Sequence, residues 1–506
     1  MKDLQILVPL LSGVKVSKLN IIGTEGESGT KVQQLYDAIL EGEIANDKEG
    51  AQRFFPDGAH REKYFGKLKR TLKTRLLNTL FFIDTDKPQF TDYQKANQVC
   101  YRNLFIVKML ISFGQRSLGV NIATKTFKKA IYFDFTEIAL LLSKELRLYY
   151  STITGEKDKA KQFKEYVNRF LQIYAAELKA DEFYAELMVN YVFSKSNKPE
   201  LIEKAKGYCE ELDDYLGKVD SFRFRFMYYL TFVLTYEIQT DYRNTLTVCE
   251  KALDYFNSKK HFGVKNVLFS FYFKKIFCHI QLLQYDLARE SIVKCLDLAE
   301  KGSFNWYVAL EQYFLLSLRS HDYEKAYKIY YEVMTMPNFY AQHQQITERW
   351  KINEAFLHFL ILKNKINPRK EVSKNKFRIN KFLNEVPKHS KDKRGANINI
   401  LILQILFLLE KERYEDIFER IEPLRMYSSR HLRKDDTFRG NCFIKMLMQL
   451  PAGRFHKEAV KRKAAPYLKK LQLVHLEVAK QTAELEIIPY EELWEYVMES
   501  LDNKVR

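Results

Sequence analysis

The chain has 506 residues, a hydrophobic fraction of 46% and a net charge of +18, which is long enough for several domains or one extended array and apolar enough for a buried core. Its 18 glycines and 11 prolines are few against averages of roughly 7% and 5%, which argues against a turn-rich sheet protein and against long disordered linkers. With 32 tyrosines and 37 phenylalanines as bulky packers, the composition predicts an all-α protein. The charge is uneven. Residues 363–470 hold 28 Lys+Arg against 12 Asp+Glu, or +16 of the total, so the basicity belongs to the C-terminal third.

Residues 1–31 read as a lead-in segment. Its apolar run LQILVPLL lacks the basic flank and the cleavage site of a signal peptide. The stretch GTEGESGTK invites a phosphate-loop reading, but Thr30 precedes Lys31 and five residues separate Gly23 from Gly29. That is not the order a P-loop requires, and no α/β context follows. Residues 32–90 read as a three-helix unit, Val32–Glu41, Asn46–Phe55 and Ala59–Asp84, with Gly42 ending the first and Asn46 or Asp47 capping the second. The third helix carries an apolar stripe (Phe65, Leu68, Leu72, Leu76, Leu80) amid Lys63, Lys67, Lys69, Arg70, Lys73 and Arg75. A short helix, a tight turn and a basic helix are the plan of a helix-turn-helix DNA reader; a solvated face is the alternative, because the stripe runs on to Phe82. Residues 91–193 read as four helices broken near Gly119, Gly155 and Asp181, a degenerate start of the array that follows.

From 194 to 427 one pattern recurs: an aromatic or aliphatic residue, a mostly small one three later, then packers four and three further on. The sets are Ile202/Ala205/Cys209/Leu212, Tyr242/Thr245/Cys249/Ala252, Tyr285/Ala288/Ile292/Cys295, Tyr323/Ala326/Tyr330/Val333 and Tyr414/Ile417/Ile421/Leu424. This 3-4-3 spacing makes one helical stripe, and its small position is where a neighbouring helix comes closest. Ala205, Thr245, Ala288 and Ala326 lie 40, 43 and 38 residues apart, and Ile417 is 91 further on, room for one unmarked copy. Near-regular stripes of this kind predict a stacked helical array.

The pattern resembles the second-helix half of the tetratricopeptide (TPR) repeat, most plainly at Tyr285/Ala288/Cys295 and Tyr323/Ala326/Val333, with Pro337 near the family's terminal proline. It departs from the family where the small residue of the first helix is expected, since Val233, Ile276 and Phe314 stand there, and the periods exceed the family's ~34 residues. The resemblance covers about half the chain. It implies a TPR-like α-solenoid of antiparallel helix pairs, with the earlier helices as an N-terminal subdomain. It also implies a concave surface lined by first helices, which would present Met227, Leu230, Leu234 and Ile238 in one repeat and Phe273, Phe277 and Ile280 in the next. Such a surface is an apolar groove for an amphipathic helix or extended segment, with no carboxylate clamp; burial of the same residues between helices is the alternative.

Residues 364–399 interrupt the array with a basic insertion bearing Lys374, Lys376, Arg378, Lys381, Lys388, Lys391, Lys393 and Arg394. A loop is expected at 364–373, a helix at about 374–385 and a second loop at 387–396. Ile398–Glu410 and Glu412–Met426 form the last repeat pair. The run Ile398–Leu409 falls short of the ~20 residues that span a bilayer and reads as a buried helix. Residues 428–506 add basic helices, with Arg430, Arg433, Lys434, Lys461, Arg462 and Lys463, and an acidic-aromatic helix from Pro489 whose Trp494, Val497, Met498 and Leu501 suit a cap on the array's end.

Chemistry is absent from the pattern. The six cysteines form no CxxC pair, the histidines are isolated, and no H-E-x-x-H, G-x-S-x-G or calcium-loop motif occurs. Cys278 and His279 are adjacent on one helix and point about 100° apart; His456, beside Lys457 and Glu458, stands alone. No catalytic residue, cofactor or metal is expected. The expected role is a non-catalytic, cytoplasmic scaffold that binds another protein, with the basic third selecting an acidic partner. The alternative is nucleic-acid binding through the N-terminal helices or the basic third. The aromatics there (Phe377, Phe382, Phe438, Phe455, Tyr467) fall mostly at helix-core spacing rather than as a stacking platform. No membrane insertion is expected.

Overall fold

The computed structural model describes residues 29–44, 46–56, 60–79, 90–193, 198–259, 262–337, 339–342, 344–367, 377–384, 396–431, 438–475 and 486–502. Among these residues there are helices and no strand, as the composition predicts. They divide into two compact units, Met1–Phe170 and Leu171–Arg506, and the division falls inside one long helix.

The first unit begins with α1 (Lys31–Leu40), α2 (Asp47–Phe54) and α3 (Arg61–Thr79). The Asn46 side chain caps α2 by accepting from the backbone N–H groups of Lys48 and Glu49. Leu35, Ala51, Phe54, Phe65, Leu68 and Leu72 form a small core. Leu76, expected to extend the α3 stripe, is 40% exposed, and Leu80 and Phe82 lie outside the described residues. Gly50 is where α2 and α3 meet closest: a Cβ there would stand 2.1 Å from Cζ of Phe65. Next come α4 (Asp92–Ser112), opened by a Thr91/Gln94 capping box, then α5 (Arg116–Tyr132), α6 (Thr136–Thr152) and the long α7 (Lys157–Met188).

Two of the expected breaks in this region are corrected. Gly119 lies inside α5 and Asp181 inside α7; the chain turns at Gly155, as expected, and also at Gly114 and Asp134, all with positive φ. Gly119 serves packing, since a Cβ there would already touch Cγ1 of Ile111 at 3.4 Å and the Val107 carbonyl at 3.6 Å. Asp181 is half-buried, with 25% of its side chain exposed, and pairs with Arg223 at 2.5 Å.

The second unit continues with α8 (Lys198–Leu216), α9 (Phe222–Gln239), α10 (Tyr242–Asn257), α11 (Lys265–Gln281), α12 (Tyr285–Leu298), α13 (Phe304–Arg319) and α14 (Tyr323–Met334). After these come α15 (Gln344–Leu362), the short α16 (Ile379–Asn384), α17 (Ala396–Glu410), α18 (Tyr414–His431), α19 (Phe438–Leu447), α20 (Gln449–Ala452), α21 (Lys457–Leu473) and α22 (Tyr490–Asp502). The five stripes lie on α8, α10, α12, α14 and α18, and their small positions Ala205, Thr245, Ala288, Ala326 and Ile417 are fully buried. Each helix packs on its neighbour in sequence from α8 to α15, and α11, α13, α15 and α17 also touch in succession. The run Ile398–Leu409 is buried throughout, as expected.

One turn joins the hairpins. The first helix ends, one residue takes left-handed φ, and the next N–H bonds back to a carbonyl five residues earlier, the pattern of a Schellman cap. Left-handed residues are Thr240, Leu283, His321, Asn364 and Glu412. The closing bonds run from Asp241 to Tyr236 (2.9 Å), Gln284 to His279 (2.8 Å), Asp322 to Ser317 (2.8 Å), Lys365 to Leu360 (3.0 Å) and Arg413 to Leu408 (2.9 Å). Gly114 and Asp134 repeat the motif in the first unit through Gln115→Leu110 and Phe135→Ala130 bonds, both 2.8 Å. The turn at Asn364 falls in the interval between the Ala326 and Ile417 stripes. It ends α15, and the helix expected at about 374–385 is described only as the single-turn-and-a-half α16.

Two predictions follow from these geometries. Gly50→Ala forces the Phe65 ring out of its slot and is expected to destabilise the α1–α3 core by about 1–3 kcal/mol, read as faster amide exchange across residues 31–79. A β-branched residue is strained at left-handed φ, so Thr240→Gly is expected to protect the α9–α10 hairpin by roughly 0.5–1 kcal/mol. Hydrogen exchange of the Asp241 amide measures it; faster exchange there would show that the Thr240 conformation carries no strain.

Candidate functional site

The chain's last helix is built into the second unit by polar contacts with residues distant in sequence. Arg439, on α19, is buried with 2% of its side chain exposed, beside Glu486 with 1%. Its Nε donates to one Glu486 oxygen at 3.0 Å and Nη2 to the other at 2.7 Å, a bidentate fork. Nη2 also donates to Glu491 at 2.6 Å, and Nη1 to the carbonyls of Leu471 (3.1 Å) and Val474 (2.7 Å). All five guanidinium donors are used. Such saturation holds the ends of α21 and α22 together and leaves no donor for a substrate.

Along α22 the contacts reach back through the unit. Arg319, at the end of α13, donates to the Glu486 carbonyl at 2.6 Å. Tyr323 and Tyr496 both donate to Glu492, with His321 Nδ1 3.0 Å from the Tyr323 hydroxyl. Lys363, just past α15, donates to the Tyr496 carbonyl (2.9 Å) and Ser500 Oγ (2.6 Å) and pairs with Glu410 of α17 at 2.6 Å. The Tyr490 ring stacks on Phe443 at 4.6 Å. The expectation of a terminal cap is therefore refined: Leu493, Trp494, Val497 and Leu501 are buried, and α22 spans the turn ends of three earlier hairpins rather than only the final helix pair.

The candidate groove residues occupy α9 and α11. Leu230, Leu234, Ile238 and Ile280 are buried, and Met227, Phe273 and Phe277 are half-buried. Leu234 and Ile238 pack with Leu187, Leu201 and Ala205; Phe273 stacks on Phe269 at 5.9 Å, and Phe277 meets Tyr242 edge-on at 5.9 Å. Neighbouring helices already fill most of this face. Sequence reasoning missed the ion pairs that cross between helices here: Glu237–Lys274 at 2.8 Å and Glu311–Arg349 at 3.3 Å. Each pair joins residues about forty positions apart, so no local pattern signals it.

Of the candidate cations, Lys374, Lys376, Lys388, Lys391, Lys393, Arg394, Arg433 and Lys434 lie outside the described residues, and Arg430 falls within α18. Arg378 and Lys381 are exposed beside and on α16. Lys461, Arg462 and Lys463 are exposed on α21, joined by Lys469 and Lys470 roughly 10 Å along the helix at ~1.5 Å per residue. Val460, Ala464 and Leu471 bury the opposite side. None of these five cations pairs with a described carboxylate, and Lys445, on the neighbouring α19, is likewise exposed. In the N-terminal unit, Lys69 of the basic α3 is paired with Asp47 at 2.5 Å, and Lys63, Lys67, Arg70 and Lys73 of the same helix are exposed.

Reactive groups are withdrawn from solvent. All six cysteines are buried and free, and burial pushes the thiols of Cys100 and Cys209 up to about 11 and those of Cys249 and Cys295 up to about 12. Among the described residues no group of three His, Cys, Asp or Glu side chains stands together to hold a metal ion, and no helix is long and apolar enough to cross a membrane. No protein-family model, no curated protein and no solved structure matches the chain.

His358 gives this region a pH signature. Stacked on Phe377 at 4.6 Å, it is pushed down to about 4 by burial. Below about pH 6.5 the unfolded chain takes up a proton that folded His358 refuses until about pH 4, so stability falls as pH drops through that window. Glu354, one turn earlier, is raised by burial and acts in the opposite direction. Comparing the wild type with His358→Phe isolates the imidazole: the variant is expected to lose up to about 3 kcal/mol of the acid-induced destabilisation, measured by denaturant titration at pH 7 and pH 4.5.

Proposed function

We propose that the protein is a non-catalytic interaction scaffold, a TPR-like α-solenoid whose basic C-terminal helices select an acidic protein partner. The observation that carries this reading is the outward face of α21, where Lys461, Arg462, Lys463, Lys469 and Lys470 are exposed together without described counter-ions. Like charges so placed repel one another and are relieved by an opposing carboxylate surface, which also speeds encounter. The recurring hairpins support the array, because each helix stripe is completed only by its neighbours. Buried free thiols fit a reducing compartment, and we place the protein in the cytoplasm on that ground. The candidate cations of 374–394 and 430–434 belong to the same proposal.

Nucleic acid is the competing ligand for the same cations. The test is capture of partners by the purified chain from lysate, with and without nuclease, at low salt and at about 0.5 M, where the Debye length shrinks to a few ångströms. A protein partner that survives nuclease and weakens with salt is expected. Lys461→Glu, Arg462→Glu and Lys463→Glu together are expected to weaken that capture by roughly tenfold or more at low salt, with helicity unchanged. Recovery of nucleic acid alone, lost on nuclease treatment, would replace the protein-scaffold reading.

A further inference from the structure

A second surface lies on the first unit, far from any charge excess in the sequence. On α4, Tyr101, Phe105, Met109 and the following Phe113 are 49%, 65%, 38% and 44% exposed. Their spacing of four places them along one side of the helix, opposite Ala96, Cys100, Leu104 and Val107, which are buried. Isolated exposed apolar residues are ordinary, but four large ones in a continuous stripe mark a contact surface. Arg102 and Lys108 flank the stripe on its two sides, exposed and without an ion-pair partner among the described residues. Glu137 accepts from the Tyr101 hydroxyl at 3.3 Å.

We propose that this face of α4 docks a partner's amphipathic helix, its apolar side against Tyr101, Phe105, Met109 and Phe113 and its acidic flanks against Arg102 and Lys108. The inference rests on the scaffold reading and names a partner chemistry for it at a site separate from α21. The apolar ladder recognises a helix, since residues three and four apart on a partner helix present the matching ridge. The two flanking cations select the sign of its rim, and a basic partner helix would bring like charges together at both edges. A second copy of this chain is disfavoured by the same rule, because antiparallel pairing of two α4 faces sets cation against cation.

The experiment uses the full chain and two designed fifteen-residue helical peptides with the same leucine stripe, one flanked by glutamates and one by lysines. Fluorescence anisotropy is expected to show the acidic peptide binding at least about tenfold tighter than its basic twin. Phe105→Glu with Met109→Glu should abolish binding, and Arg102→Glu with Lys108→Glu should reverse the preference. All four positions are exposed, so helicity serves as the folding check, and Phe105→Ser is the milder variant should the double glutamate change fail it. Equal binding of both peptides, or a preference that survives both double variants, would overturn the docking site. So would a concentration-dependent dimer abolished by Phe105→Glu with Met109→Glu, which would assign the stripe to self-association. The α21 charge-reversal variant should bind the acidic peptide as the wild type does. Loss of α4 binding with salt-sensitive capture intact removes this site and leaves the scaffold; the converse removes the α21 reading alone.

Discussion

A single backbone constraint recurs through the structure: a helix must stop within one residue and hand over to another that packs beside it. The left-handed residue followed by the back-bond from Asp241, Gln284, Asp322, Lys365 or Arg413 does this at each first-helix end. It satisfies carbonyls that a helix end would otherwise leave open, and it fixes where the next helix begins. The tyrosines that open α10, α12, α14 and α18 follow directly. Because the turn has constant length, the stripe residue three positions further on falls in the same turn of each of these helices, where it is fully buried.

The cost of this regularity falls on side chains. Left-handed φ suits glycine, yet Thr240, Leu283, His321 and Glu412 occupy it. Each carries roughly 1–2 kcal/mol of strain that the hairpin's packing has to offset. Where packing changes, the pattern changes. After the Asn364 turn the next described helix is the short α16, and α22 comes back to the turn ends of α13, α15 and α17. Its anchor is Arg439, whose five donors are all engaged. A buried charge of this kind is weak evidence for net stability, but removing one partner leaves the other uncompensated, at about 3–5 kcal/mol. It thereby holds α19, α21 and α22 in one arrangement.

The two surfaces proposed for recognition differ in physics. The α21 face is cationic, suited to long-range attraction that salt screens. The α4 face is aromatic with a thin charged rim, suited to short-range burial that salt leaves largely intact. Within the second unit, the half-buried Met227, Phe273 and Phe277 offer little free area, because the helices beside them already cover most of that apolar face.

By itself the sequence determined the helical class, the five stripes and the burial of Ala205, Thr245, Ala288, Ala326 and Ile417, because a 3.6-residue period and a small side chain act locally. It also located the charge excess, which is a sum over residues and needs no fold. It misplaced the break at Gly119, since a glycine that permits close packing and one that permits a turn look alike in a string, and the one at Asp181, whose partner Arg223 lies 42 residues away. Only tertiary structure decided the rest. Arg439 and Glu486, or Lys363 and Glu410, are 47 residues apart and meet through the path of whole helices. The α4 stripe has no signature in the sequence for the same reason: Phe105 and Met109 stand at the helical spacing that core residues also use, and only the placement of the surrounding helices leaves them exposed.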